Sequence, residues 1–216
     1  MSQFGEKVEG YTIPVLNERE IRASAGILFL FAFISIMTAI LKHDMVLLKY
    51  FILGFFVEFI IRLFINPKYA PTLIIGRWIV SNQVPEYVGA KQKKFAWTIG
   101  FVLAIIMLGL IVVLNSYSII TGLICLICLI FLFFESAFGI CLGCLFYKFV
   151  YKEKAQYCPG EVCEVKDRHE IQKSSFKQVL IVIAFIAYIV ASVYLFSDAF
   201  NEQPRDLWEV LAEKFK

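Results

Sequence analysis

The chain contains five apolar runs, each long enough to cross a bilayer as a helix. They cover residues 21–41, 46–65, 95–114, 119–147 and 176–197. Because a helix rises about 1.5 Å per residue, roughly 20 such residues match a hydrocarbon layer about 30 Å thick. The chain is 60% hydrophobic, whereas soluble domains are about 45–50% apolar. The sequence therefore predicts an all-α membrane protein with five transmembrane helices in the lipid bilayer.

The basic residues favour one orientation of these helices, because loops rich in Lys and Arg tend to stay in the cytoplasm. The N-terminal segment and the loops after helices two and four hold 15 Lys and Arg residues, against 5 on the opposite side. Residues 1–20 lack the apolar core of a cleavable signal peptide. We therefore expect a cytoplasmic N-terminus and an outer C-terminus. This distribution of basic residues follows from the membrane topology and gives no reason to expect nucleic acid as a partner.

The predicted helices divide the chain into five parts. These are a cytoplasmic N-terminal segment, a four-helix core of two helical hairpins, a cytoplasmic cysteine loop, a fifth transmembrane helix and an outer amphipathic tail, at residues 1–20, 21–147, 148–175, 176–197 and 198–216. Within the core, Pro67 and Pro71 end the second helix. Residues 72–81 mix apolar and polar side chains too closely to span, so we expect an interfacial segment between helices two and three.

Three charged residues fall inside predicted helices. Glu58 and Arg62 lie four residues apart in the second helix, hence on one face, and Glu135 lies about midway along the fourth. A charge in hydrocarbon costs at least about 2.5 kcal/mol, so such residues normally face inwards and find a partner. One interpretation is a structural clamp in which Arg62 holds Glu58, and Glu135 as well. The alternative is a small transporter whose path runs past these residues.

All six cysteines lie between positions 125 and 163. We interpret Cys125 and Cys128 as packing residues of the fourth helix, because a free thiol behaves as a small apolar group. The other four are expected at the cytoplasmic boundary, two at the inner end of that helix and two in the loop after it: Cys141, Cys144, Cys158 and Cys163. In a continuous helix Cys128 and Cys141 are about 20 Å apart. The two groups therefore exchange no sulfur unless the helix breaks.

Two chemistries suit the four boundary cysteines. Without any cofactor they can relay electrons or sulfur, by dithiol–disulfide exchange or persulfide transfer. Their C-x2-C and C-x4-C spacings also suit tetrahedral zinc, which would make the protein a zinc-stapled membrane binding module. A third interpretation is that the thiols are unpaired and have no function. The cytoplasm is reducing, so any disulfide there is expected to be transient. Whether the protein is an enzyme stays open at this point.

Three stretches carry a resemblance to a known family: "NPKYAP", "GRWIVSNQVPEYVGAKQKKFAWTIG" and "ESAFGICLGCLFYKF". Over roughly residues 15–150 the chain resembles a bacterial membrane family catalogued as domain of unknown function 4395. Its members are similar in carrying a CxGC pair at the end of the last core helix, here Cys141, Gly143 and Cys144. Some relatives are joined to thioredoxin-like or rhodanese-like domains.

The resemblance implies a multi-pass protein of the bacterial cytoplasmic (inner) membrane with thiol or sulfur chemistry. Our leading prediction from the sequence is a thiol site on the cytoplasmic face. In it Cys141 and Cys144 form a pair at the membrane edge, and Cys158 and Cys163 form a loop pair that exchanges with it. The expected partner is a soluble thioredoxin-like or rhodanese-like protein.

Overall fold

The computed structural model describes residues 4–143, 146 and 173–214, and this part of the chain is mostly helical. Helices α1 to α7 lie, in chain order, at Glu18–Lys42, Val46–Ile60, Pro71–Ile79, Ala90–Met107, Ile119–Phe133, Phe176–Asn201 and Leu207–Lys214. Three of them, α2, α4 and α5, continue directly into wider π-helical turns, at Ile61–Ile65, Leu108–Val113 and Phe134–Phe138. A 3-10 turn at Pro67–Tyr69 separates α2 from α3.

Four helical segments are long and apolar enough to cross a membrane: Glu18–Lys42, Ala90–Val113, Ile119–Phe138 and Phe176–Asn201. The remaining predicted span, residues 46–65, is α2 with its π-helical turn. It also contains three charged residues, Lys49, Glu58 and Arg62, and is not one of the four. The described helices therefore form a multi-pass α-helical membrane protein.

Two small ribbons tie distant parts of the chain together. Strand β1, Val15–Asn17, pairs antiparallel with β2, Tyr87–Gly89, so the segment before α1 lies beside the start of α4. Strand β3, Ser116–Tyr117, pairs in parallel with β4, Arg205–Asp206, so the α4–α5 connection lies beside the C-terminal tail. The two ribbons lie at opposite ends of the bundle, because α4 runs between them.

Hydrogen bonds at the two ends of α6 show that it runs antiparallel to α2. Near its start, the side-chain amide of Gln178 donates to the Lys68 carbonyl oxygen at 2.9 Å. Near its end, the buried Lys49 ammonium donates to the carbonyl oxygens of Phe200 and Glu202, at 3.2 and 2.7 Å. The start of α6 therefore lies with the end of α2, and the end of α6 lies with the start of α2.

Helix α3 packs directly on α1. Five of its residues are buried together with Arg77, at Pro71, Thr72, Leu73, Ile74 and Gly76. Gly76 permits the close approach, because a Cβ added there would lie 2.6 Å from the backbone oxygen of Glu20. The segment predicted to be interfacial is thus an ordered helix supported on one face by protein.

The fourth predicted helix is shorter than expected. We predicted a continuous run over residues 119–147, but the helix ends at Phe138 and Gly139 adopts a left-handed conformation with φ of 67°. Glycine takes this conformation without the steric penalty that a Cβ imposes. The Phe134 carbonyl oxygen accepts from the N–H groups of both Gly139 and Ile140. The prediction was wrong here, and Glu135 lies in the last turn rather than midway.

Candidate functional site

A cleft lies where the segment after α5 folds back against α2, α4 and α5. It has a volume of about 50 Å³. Most of the lining is apolar, at Phe55, Phe59, Ala96, Gly100, Leu103, Phe131, Leu132, Leu142 and Gly143, and the groups with polar or sulfur atoms are Trp97, Cys128, Glu135 and Cys141. The cleft is therefore mostly apolar, with a few polar and sulfur-bearing groups at its wall.

The turn at Gly139 brings Cys141 to this cleft. The Arg22 guanidinium covers the turn, since a Cβ added at Gly139 would lie 3.0 Å from its Cζ atom. Two residues beyond Cys141, Gly143 packs on α4 so closely that an added Cβ would lie 2.5 Å from the Ala96 Cβ. The glycine inside the CLGC motif therefore fits the segment against α4. The Cys141 thiol is free and half-buried.

Cys141 and Cys128 line the same cleft, which the sequence did not lead us to expect. Our separation of about 20 Å assumed a continuous helix, and the break at Gly139 removes that assumption. Cys125 and Cys128 are both free thiols that pack against an apolar cluster containing Leu48, Ile52 and Ile111. That packing matches the role we expected for them.

The other three predicted site cysteines, Cys144, Cys158 and Cys163, lie outside the described residues. The four-cysteine constellation therefore stays a prediction, both as a thiol relay and as a zinc site. Within residues 4–143, 146 and 173–214, no three His, Cys, Asp or Glu side chains come close enough together to hold a metal ion.

Glu135 is held by a lysine that sequence reasoning missed. Lys93 Nζ lies 2.7 Å from Glu135 Oε1 and 2.7 Å from Glu18 Oε2, and the Lys93 side chain is 1% exposed. The three residues join α1, α4 and the π-helical turn after α5. Because Lys93 stands in a basic cluster, we counted it as a loop residue, but it lies in the first turn of α4. Glu135 thus pairs with Lys93, and the prediction that Arg62 also holds it was wrong.

Glu58 and Arg62 meet in a second buried network. Arg62 Nε donates to Glu58 Oε1 at 2.9 Å, and Arg62 Nη2 donates to the hydroxyl oxygens of Ser24 and Thr72. The Thr72 hydroxyl donates to Glu58 Oε1 at 2.6 Å, and the Thr72 N–H donates to Oε2 at 3.2 Å. The rings of Phe59 and Trp97 lie about 5 Å from the guanidinium carbon. This network connects α1, α2 and α3.

A third ion pair fastens α3 to α1. Arg77 Nε and Nη2 each donate to one oxygen of Glu20 at 3.1 Å, which is the bidentate geometry of a strong pair. The Asn17 side chain donates to Glu20 Oε1 at 3.1 Å. The three buried networks lie towards the end of the bundle that carries the β1–β2 ribbon, and Glu135 of the first network lines the cleft.

Long apolar helices, joined by largely buried ion pairs, define the protein as a multi-pass α-helical membrane protein. The chain belongs to the family described as Domain of unknown function (DUF4395), whose model matches residues 16–152. The predicted family membership is thus confirmed, and the matched range contains the cleft and all three ion-pair networks. Among curated proteins and solved structures, nothing matches this chain.

Proposed function

We propose that this protein is an inner-membrane thiol protein of bacteria whose reactive pair, Cys141 and Cys144, works at the cytoplasmic face. In this proposal α2 is a fifth membrane span, α3 lies at the interface, the N-terminus is cytoplasmic and the C-terminus is outside. The excess of basic residues on one side supports that orientation. The reaction is dithiol–disulfide exchange or persulfide transfer with a soluble thioredoxin-like or rhodanese-like protein.

One observation carries the proposal: the chain breaks its helix at Gly139 and holds the free Cys141 thiol at a cleft beside Glu135. A cysteine serving only to fill space has no need of a helix break. The segment is also fixed on both sides, by the turn under Arg22 and by the contact of Gly143 with Ala96. A thiol held in a defined position at the end of a bundle can meet a soluble partner.

In disulfide exchange, the Cys141 thiolate attacks one sulfur of the partner's disulfide. A mixed disulfide forms, and the partner's other sulfur leaves as a thiolate. The Cys144 thiolate then attacks the Cys141 sulfur, which forms a Cys141–Cys144 disulfide and releases the partner's second thiolate. The partner gains two electrons and two protons, and the two cysteines lose them.

The test uses the full chain in lipid nanodiscs with a small aromatic disulfide, 5,5′-dithiobis(2-nitrobenzoic acid), as the model partner. In the wild-type protein we expect two thiolate leaving groups for each Cys141, with no adduct retained. Cys144→Ser is expected to release one and to keep the aromatic adduct on Cys141, while Cys125→Ser serves as a matched control that behaves as wild type. A Cys141 that stays unmodified in the folded protein would refute the proposed function.

The two alternatives make separate predictions. For a transporter, Glu135→Gln should stop flux without affecting folding. Glu135 is paired with Lys93 at 2.7 Å, and both Glu58 oxygens accept hydrogen bonds from Arg62 or Thr72, which favours the structural clamp. For the zinc-stapled module, a chelator should lower the melting temperature and a reductant should not. Cys141 is the one ligand of that zinc set that lies among the described residues.

A further inference from the structure

We infer that the cleft beside Cys141 holds a single sulfane sulfur atom, carried on Cys141 as a persulfide. This inference rests on the proposed function and selects persulfide transfer as its chemistry. Three features support it: the size of the cleft, its hydrogen-bonding groups and the way the Cys141 segment is held.

The size of the cleft fits a small terminal group. Its volume of about 50 Å³ exceeds what one water molecule needs, about 10–15 Å³ by the same kind of measure, and is well below the cavity of about 150 Å³ that accepts benzene. A group as large as an aromatic ring therefore does not fit inside it. One extra sulfur atom on Cys141 does fit, and its lining of Phe55, Phe59 and Leu132 suits a soft, weakly hydrated atom.

The polar groups of the cleft match the hydrogen-bonding capacity of a persulfide. The Trp97 side chain is buried at 3% exposure, and its Nε1–H has no acceptor among the described residues. An indole N–H is a donor only, and a carboxylate such as Glu135 is an acceptor. A terminal S–SH group offers one hydrogen and one sulfur lone pair, so it can donate towards Glu135 and accept from Trp97. A buried donor left without a partner is costly, and the sulfur removes that cost.

The surroundings also keep this group in place. Lys93 holds Glu135 at 2.7 Å, so the carboxylate stays paired while it lines the cleft. The close contact of Gly143 with Ala96 holds the Cys141 segment against α4. The sulfur therefore enters a site whose walls are formed before it arrives.

The loading step is balanced with a persulfide donor of the class R–S–SH. The Cys141 thiolate attacks the outer sulfur, the bond between the donor's two sulfurs breaks, and its electron pair leaves with R–S⁻. Cys141 becomes Cys–S–SH. Delivery to an acceptor thiolate repeats the same step in the opposite direction, so no external oxidant or reductant is required.

The experiment loads the full chain in nanodiscs with sodium disulfide as the sulfur donor. The Cys144→Ser background prevents internal attack by the neighbouring thiol. After desalting, peptide mass spectrometry locates the added sulfur atom, and cyanide is then used to remove it as thiocyanate. We expect the sulfur on Cys141, and we expect Trp97→Phe to speed its removal about two- to tenfold, the value of one hydrogen bond.

Trp78→Phe is the matched control, because Trp78 is exposed and donates instead to Ser174 at 3.0 Å. In Trp78→Phe, cyanide should remove the sulfur at the same rate as in the Cys144→Ser parent. Should Trp97→Phe fail to fold, Leu103→Phe fills the cleft without touching either polar group, and faster removal is expected there too. If Cys141 reacts with the aromatic disulfide but retains no sulfur, or if both variants match Trp78→Phe, the inference falls and the proposed function stands. If Cys141 neither reacts with the aromatic disulfide nor takes up sulfur, both the inference and the proposed function are overturned.

Discussion

Removing the positive charge of the Glu58–Arg62 network is expected to cost more than any surface change in this protein. In Arg62→Met, Glu58 stays buried at 0% exposure and loses its cation. Ser24 and Thr72 also lose the donor that now reaches both hydroxyls. Breaking a buried pair from one side costs about 3–5 kcal/mol, which at about 1.4 kcal/mol per tenfold is a factor of roughly a hundred to several thousand in the folded fraction.

The free energy of unfolding is measured by equilibrium denaturant titration in mild detergent, with helix content as the signal. Arg205→Met is the matched control, because the Arg205–Glu213 pair has the same charges but side chains that are 61% and 70% exposed. Exposed pairs contribute about 0–1 kcal/mol. The double variant Glu58→Met, Arg62→Met should recover most of the loss, because no uncompensated charge remains. The reasoning is refuted if Arg62→Met costs no more than Arg205→Met, or if the double variant equals the sum of the single ones.

Three further substitutions test the other described contacts. Gly143→Ala brings a Cβ to 2.5 Å from that of Ala96. The free energy of unfolding should fall by about 1–3 kcal/mol, and maleimide should label Cys141 faster. Gly122→Ala meets open space and should change neither quantity. Lys93→Met leaves the buried Glu18 and the partly buried Glu135 carboxylates without their shared cation. A lower melting temperature in detergent is therefore expected, and an unchanged one would contradict the triad. Lys49→Met removes the donor to two carbonyl oxygens at the end of α6, so limited proteolysis should cut the C-terminal tail sooner than in wild type.

The four long helices were predictable because a segment with enough apolar length and few charges can span a bilayer. The end of this helical segment at Phe138 was not predictable, because Gly139 stands in an apolar run whose composition favours helix on both sides. What ends the helix is a backbone conformation together with two hydrogen bonds to one carbonyl oxygen. No residue pattern in that run predicts this conformation or these hydrogen bonds.

Within the candidate site, the contact inside one helix was predictable, whereas the contacts between helices were not. Glu58 and Arg62 lie on one helix at a spacing that forces them together, so their pairing follows from sequence. The pairing of Glu135 with Lys93 joins residues 42 positions apart and depends on how α4 and α5 pack. The same holds for Trp97, because the structure is needed to see that its N–H has no acceptor among the described residues.

The Lys93 triad also ties assembly of the core to the order of synthesis. Glu18 is made 75 residues before the lysine that neutralises it, and Glu135 follows 42 residues after that lysine. A growing chain that has inserted α1 and α2 but not yet α4 therefore holds an uncompensated carboxylate at the start of α1. The β1–β2 ribbon also cannot form until β2, directly before α4, has been made. The two halves of the core thus close only after α4 has been made, and a nascent chain truncated before α4 should be recognised by membrane quality control as unfinished.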